Sequence, residues 1–127
     1  MSDLNSRHNR AVWFDIPVAD LDRAAKFYGA VMAIGVHKHS MEGFNFCVLD
    51  HEQGNGGCLV EGRDSVTAKG ILVYMNVDGR IRAAVAEVPK HGGKVLEAVK
   101  SIGPHGFRAV VLDSEGNRIA LHSMTDA

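Results

Sequence analysis

The stretch GFNFCVLD at residues 43–50 returns as GFRAVVLD at residues 106–113, with five of the eight positions identical. The copies lie 106 − 43 = 63 positions apart in a chain of 127 residues. Self-similarity at a fixed spacing marks a structural unit used twice. A second echo lies upstream, where VADLDRAA (18–25) is answered by VDGRIRAA (77–84) at a spacing of 59. The spacing difference of four is the size of a small loop insertion.

Each half opens with a strand-like run, VWFDIPV (12–18) and ILVYMNV (71–77), and then changes to helical spacing. Leu21, Ala24, Tyr28 and Val31 form one apolar stripe, and Asp20 and Asp78 stand where a helix N-cap belongs. The second helix is expected over residues 80–88, because Pro89 cannot continue it and Gly92-Gly93 releases the chain. Three strands should follow each helix, near residues 36–40, 44–49 and 57–61 in the first half and 94–99, 107–112 and 118–122 in the second. DSEGN (113–117) is a strong hairpin turn and DHEQGNG (50–56) a looser one. The expectation is an α+β fold of two tandem βαβββ units, about 11–62 and 70–123, within a single domain at 11–127. Residues 1–10 read as a flexible N-terminal arm.

The bulk numbers limit the partners. Fourteen Lys and Arg against fifteen Asp and Glu leave a formal charge of -1, so no strong field draws nucleic acid or an anionic membrane. No apolar run approaches the ~20 residues that span a bilayer. Two cysteines, Cys47 and Cys58, are too few for a disulfide framework, and the first ten residues carry no signal-peptide pattern. A cytoplasmic location is expected.

Val18, Asp20, Leu21, Arg23, Ala24, Phe27 and Tyr28, then Gly92 to Val95 and Asp113 to Ile119, resemble the signature of the vicinal oxygen chelate superfamily. That superfamily includes glyoxalase I, bleomycin-resistance proteins and extradiol dioxygenases. The resemblance spans nearly the whole chain. It implies a curved, eight-stranded mixed sheet around a cleft, two helices on the outer face, and a homodimer. Shared fold does not bring shared chemistry.

Metal-dependent members of that superfamily carry four ligands. By spacing, three of the positions fall here on Trp13, Leu72 and Ala120, none of which can ligate. The remaining position lies within residues 58–61, where Glu61 is the one carboxylate. The resemblance therefore implies no metal or other cofactor, with a divalent metal held by non-standard ligands as the disfavoured alternative. Glyoxalase I chemistry, which needs a Lewis acid for an enediolate, is disfavoured with it.

Strand alternation sorts the remaining side chains. Phe14, Ile16, Val18, Val73, Met75, Val77, Ile119 and Leu121 share an apolar face suited to packing under the helices. Trp13, Asp15, Leu72, Tyr74, Asn76, Arg118, Ala120 and His122 share the opposite, mixed face, as a ligand cleft requires. Asp15 and His122 are the candidate acid and base. Trp13 and Tyr74, with Leu72 and Ala120, are the candidate walls for a stacked ligand, and His105 and Arg108 could meet an anionic group. His37 and His39 fall on one side of a strand, a weak metal signal beside the simpler reading of an exposed edge. Cys47 and Cys58 could face each other across neighbouring strands, or be ordinary buried thiols.

The function expected is a small-molecule-binding, glyoxalase-like protein working without metal. If it is an enzyme, the resemblance implies a lyase, an isomerase or a dioxygenase-related activity. The alternatives are a protein that sequesters a drug or metabolite and a structural dimer with a filled cleft.

Overall fold

The computed structural model describes residues 8–127, so residues 1–7 of the expected N-terminal arm lie outside the described residues. The first unit comprises β1 (Asp15–Val18), α1 (Leu21–Met32), β2 (Val36–Met41), β3 (Phe44–Leu49) and β4 (Cys58–Glu61). The second comprises β5 (Val73–Asn76), α2 (Ile81–Lys90), β6 (Lys94–Ser101), β7 (Phe107–Leu112) and β8 (Arg118–Ser123). Each unit forms a four-stranded mixed sheet, in the orders β1-β4-β3-β2 and β5-β8-β7-β6. The first and last strands of a unit pair in parallel, and the rest are antiparallel. No described helix is long and apolar enough to cross a membrane.

The apolar stripes meet in one core shared by both units. Leu21, Ala24, Phe27, Tyr28 and Val31 of α1 pack with Ile81, Ala84 and Val88 of α2 and with Ile16, Val18, Met75, Val77, Ile119 and Leu121 from the strands. Burying each large aliphatic chain contributes roughly 1.5–3 kcal/mol. Gly93 lets β6 approach this core, since a Cβ there would come within 2.6 Å of Phe27 and 2.5 Å of the Leu112 carbonyl.

Polar groups fasten the β7–β8 turn to the first unit. The Tyr28 hydroxyl donates to buried Asp113 at 2.6 Å, and the amides of Glu115 and Asn117 donate to the same carboxylate. The Glu115 carboxylate, fully covered, accepts from Arg23 at 2.7 and 2.8 Å, from the Ala19 and Asp20 amides and from Ser114. Burial alone would push its pKa up, but these donors outweigh burial and hold it at about 2.

Three local expectations are corrected. Asp20 caps α1 by accepting from the Arg23 amide at 3.0 Å, but Asp78 does not cap α2. Arg80 takes that position, and Asp78 instead accepts from the Met124 amide at 2.7 Å. The turn into α2 is one residue longer than the turn into α1, so Ala24 corresponds to Ala84 by burial rather than to Ala83. α2 also continues to Lys90 through Pro89, because a missing N–H in the final turn removes only one bond.

The spacing of the repeat is the third correction. Ile16 stands opposite Leu59, which stands opposite Cys47, whereas Met75 stands opposite Leu121 and Leu121 opposite Ala109. The strands β3 and β4 therefore map onto β7 and β8 at a spacing of 109 − 47 = 62, not 63. A slip of one residue sends a side chain to the other face. Leu49 is buried in the core while Leu112, its identical letter in the repeat, is only half-buried opposite Arg118.

Candidate functional site

The register of β5, β8, β7 and β6 assembles one polar group on the face away from the helices, here termed the far face. Tyr74 stands opposite Ala120, and Ala120 opposite Val110. One step along, Asn76 stands opposite His122, His122 opposite Arg108, and Arg108 opposite Lys100. The Arg108 guanidinium donates to the Tyr74 hydroxyl at 2.5 Å, lies 5.9 Å from the centre of its ring and reaches Glu97 at 3.6 Å. Glu97 also pairs with Lys100 at 3.4 Å. The Tyr74 and His122 rings are 6.4 Å apart, and His122 Nε2 lies 2.7 Å from the His105 carbonyl, to which an N–H there donates. Fully buried Ala120 and nearly buried Val110 make an apolar floor. The Nε–H groups of Arg108 and Arg118 are buried and have no partner among the described residues.

Five expected site residues thus come together: Tyr74, Arg108, His122, Ala120 and, through its carbonyl, His105. Leu72, half-buried, precedes Tyr74 on the same alternation. Trp13 and Asp15 form a separate group on the first unit. Trp13 Nε1 donates to Asp15 at 3.2 Å, the Cys58 thiol donates to the same oxygen at 3.2 Å, and Trp13 meets the His51 ring edge-on at 6.0 Å. Asp15 and His122 are each bonded to partners in their own unit rather than to each other.

Sequence reading missed Glu97, Lys100 and the Cys58–Asp15 pair. Alternation would put residues 97 and 100 on opposite faces. Register shifts in β6 on either side of Glu97 bring both to Arg108.

The same registers identify the remaining ligand position, because Ala120 stands to Tyr74 as Cys58 stands to Asp15. Glu61 sits opposite Val18, on the core side of the alternation. The four positions are then Trp13, Cys58, Leu72 and Ala120. Burial first, and then Asp15, raise the Cys58 thiol pKa to about 11, so the one donor atom is held protonated. These residues do not fit a divalent ion. Elsewhere, among the described residues, no three His, Cys, Asp or Glu side chains are grouped to hold one. His37 pairs with Asp50 at 2.6 Å and His39 stacks on Phe46 at 5.4 Å, so the two imidazoles take separate partners on edge strand β2. Cys47 faces the core and Cys58 the far face, so they do not face each other.

Residues 10–32, covering β1 and α1, match the family described as bleomycin resistance protein-like, N-terminal. A glyoxylase-like domain-containing protein of Didymella fabae is 30% identical over 129 residues, covering 90% of this chain and 93% of that protein. The chain belongs to the glyoxalase/bleomycin-resistance family. Solved structures agree on the fold of this glyoxalase-like protein. A glyoxalase/bleomycin resistance protein from Albidiferax ferrireducens T118 superposes with a TM-score of 0.72 at 16% identity, covering 91% of this chain and 98% of that one. A genomically encoded fosfomycin resistance protein from Listeria monocytogenes gives 0.68 at 11% identity, covering 91% and 93%. The glyoxalase-like chain is therefore a vicinal oxygen chelate protein in architecture.

Proposed function

We propose that this glyoxalase-like protein binds a small organic molecule with an anionic group on the far face of the second unit, without a metal at the family's ligand positions. The observation that carries the reading is the convergence of Arg108, Tyr74 and His122 above the Ala120–Val110 floor. Arg118 and Lys100 add positive charge to that face, where Glu97 pairs with Lys100 and Arg108. The Arg108 side chain, 24% exposed, supplies guanidinium N–H donors that a carboxylate or phosphonate oxygen would accept. Tyr74, 47% exposed, offers a ring on which a planar ligand stacks.

Binding is favoured over acid–base turnover by Asp15 and His122, since Asp15 is engaged by Trp13 and Cys58 in the other unit. A homodimer is part of the reading. The first unit exposes Met41 and Phe44 on its far face, with Phe44 stacked on Phe46 and Phe46 on His39, an apolar patch that a second copy would cover. Two free thiols suit a cytoplasmic location.

Calorimetric titration with a panel of aromatic carboxylates and phosphonates tests the reading. Arg108→Ala is expected to weaken the best ligand by about tenfold or more, the usual scale for a charge-assisted hydrogen bond. Unchanged affinity in that variant, or stoichiometric divalent metal in protein purified without chelator, would overturn it. Sedimentation of the free protein as a monomer at micromolar concentration would remove the dimer.

A further inference from the structure

The duplication allows one half of the molecule to be compared with the other, and the two outer strand edges are not alike. On β1, whose carbonyls at Phe14 and Val18 bond to the β4 side, Asp15 and Pro17 turn their backbone groups outward. Pro17 has no amide to offer there, and its carbonyl accepts from Asn117 Nδ2 at 2.7 Å, so the chain's own β7–β8 turn closes that edge. On β5 the equivalent residues are Tyr74 and Asn76. The Val77 amide donates to the His122 carbonyl at 2.9 Å, so the parallel ladder uses residues 73, 75 and 77 and leaves the N–H and C=O of Tyr74 and Asn76 pointing away from β8. No described residue hydrogen bonds to those four groups.

The segment that corresponds to the closing turn is the longer loop at residues 50–57, and it stands back from β5. Between them lies a cleft of about 680 Å³, floored by Phe14, Met32, Leu49 and Met75. Asp50, which also pairs with His37 at 2.6 Å, and Glu52 stand at its rim, and among the described residues no Lys or Arg lines it. The volume falls within the roughly 300–1,000 Å³ of ligand clefts. An open strand edge beside an apolar floor is the arrangement that takes an added strand.

The geometry points to a second ligand: an extended peptide segment of roughly four residues, at about 3.3 Å per residue, that adds to the free edge of β5 and places a Lys or Arg against Asp50 and Glu52. Its backbone supplies to Asn76 and Tyr74 what the Asn117 carboxamide supplies to Pro17 on the other side. This site uses the backbone of Tyr74 and not the Arg108 cluster, so it stands or falls apart from the small-molecule reading.

Fluorescence anisotropy with labelled Val/Thr peptides bearing one central Lys, or Glu in its place, tests the inference. Saturable binding of the Lys peptide is expected, with the Glu peptide at least tenfold weaker. Asn76→Pro copies what β1 already carries at Pro17. It should abolish peptide binding while leaving the far-ultraviolet circular dichroism in place. Should that variant fail to fold, amide exchange in the wild-type chain decides: the Tyr74 and Asn76 amides should exchange freely alone and slow on adding the Lys peptide. Equal binding of Lys and Glu peptides, no binding of either, or undiminished binding by folded Asn76→Pro would overturn the inference. Protection of the two amides that grows with protein concentration in the absence of peptide would also overturn it, by assigning the edge to a second copy.

Discussion

Glu115 shows at the residue scale how one carboxylate can join two halves of a chain. Its folded pKa of about 2 lies below the ordinary ~4.3. A lowered carboxyl pKa means that its stabilisation is full above about pH 4.5 and is lost as the pH falls through about 2. Glu115→Gln keeps the shape and removes the charge, and it is expected to lower unfolding free energy by roughly 1–3 kcal/mol at pH 7. Urea titrations of both proteins should converge near pH 2, and a constant gap down to that pH would refute the assignment. Cys58 gives a second residue-level expectation. Burial is the main reason its thiol pKa is raised to about 11, with the Asp15 carboxylate adding to it, so native protein should alkylate slowly at pH 8. Asp15→Asn removes the negative charge, lowers the pKa and should speed alkylation, read by mass spectrometry against Cys47 in the same protein. That Tyr74 and His122 share a face was legible because alternation alone assigns it, whereas Arg108 was read from its place beside the loop at residues 103–106. That Asp15 and His122 lie apart was not legible, since sharing a face does not place two residues in one unit's neighbourhood.

Among the elements, the order of helices and strands was legible from apolar spacing, and the limits of α2 and the strand register were not. The octapeptide repeat and the VADLDRAA echo both misplace equivalent residues by one in parts of the fold, because identity of letters does not report which way a Cβ points. That is why the position of Cys58 could not be fixed in advance, while Asp78 looked like a cap because it is a carboxylate just before an apolar stripe. β6 was read correctly as a strand, yet its bulges hid Glu97 and Lys100 from any period-two rule. Gly93 supplies the test at this scale. A Cβ would sit 2.5 Å from the Leu112 carbonyl and 2.6 Å from Phe27, and neither can retreat without moving β7 or α1. Gly93→Ala should therefore cost roughly 1–3 kcal/mol as an overpacked site, measured by thermal unfolding. A change below about 0.5 kcal/mol, the scale of an ordinary surface substitution, would show that β6 does not need this close approach.

For the whole molecule, the duplication does not make two independent domains. Tyr28 reaches Asp113, Arg80 donates to the Val31 carbonyl at 2.7 Å, and the two helices share one buried core. Residues 8–62 produced alone would expose half of that core, so they are expected to be largely unfolded by circular dichroism. The intact protein nicked after folding within residues 68–70 should stay together at pH 7 and separate progressively more readily as the pH falls from about 4 toward 2, where Glu115 approaches neutrality. A cooperatively folded 8–62 fragment would contradict this. The free β5 edge was not legible, because Pro17 and Asn76 differ in meaning only once both are known to face outward.

The displaced repeat also bears on the descent of the two halves. Val48 and Val111 look like one inherited residue in two places, yet one points away from the core and the other into it. If a single ancestral unit was doubled, the halves have since gained or lost a residue close to this strand, and the matching letters are neighbours of true counterparts rather than the counterparts themselves. A genealogy drawn through the identical octapeptides would assign ancestors to the wrong residues. One drawn through the pairings Leu59 with Cys47 and Leu121 with Ala109 would not.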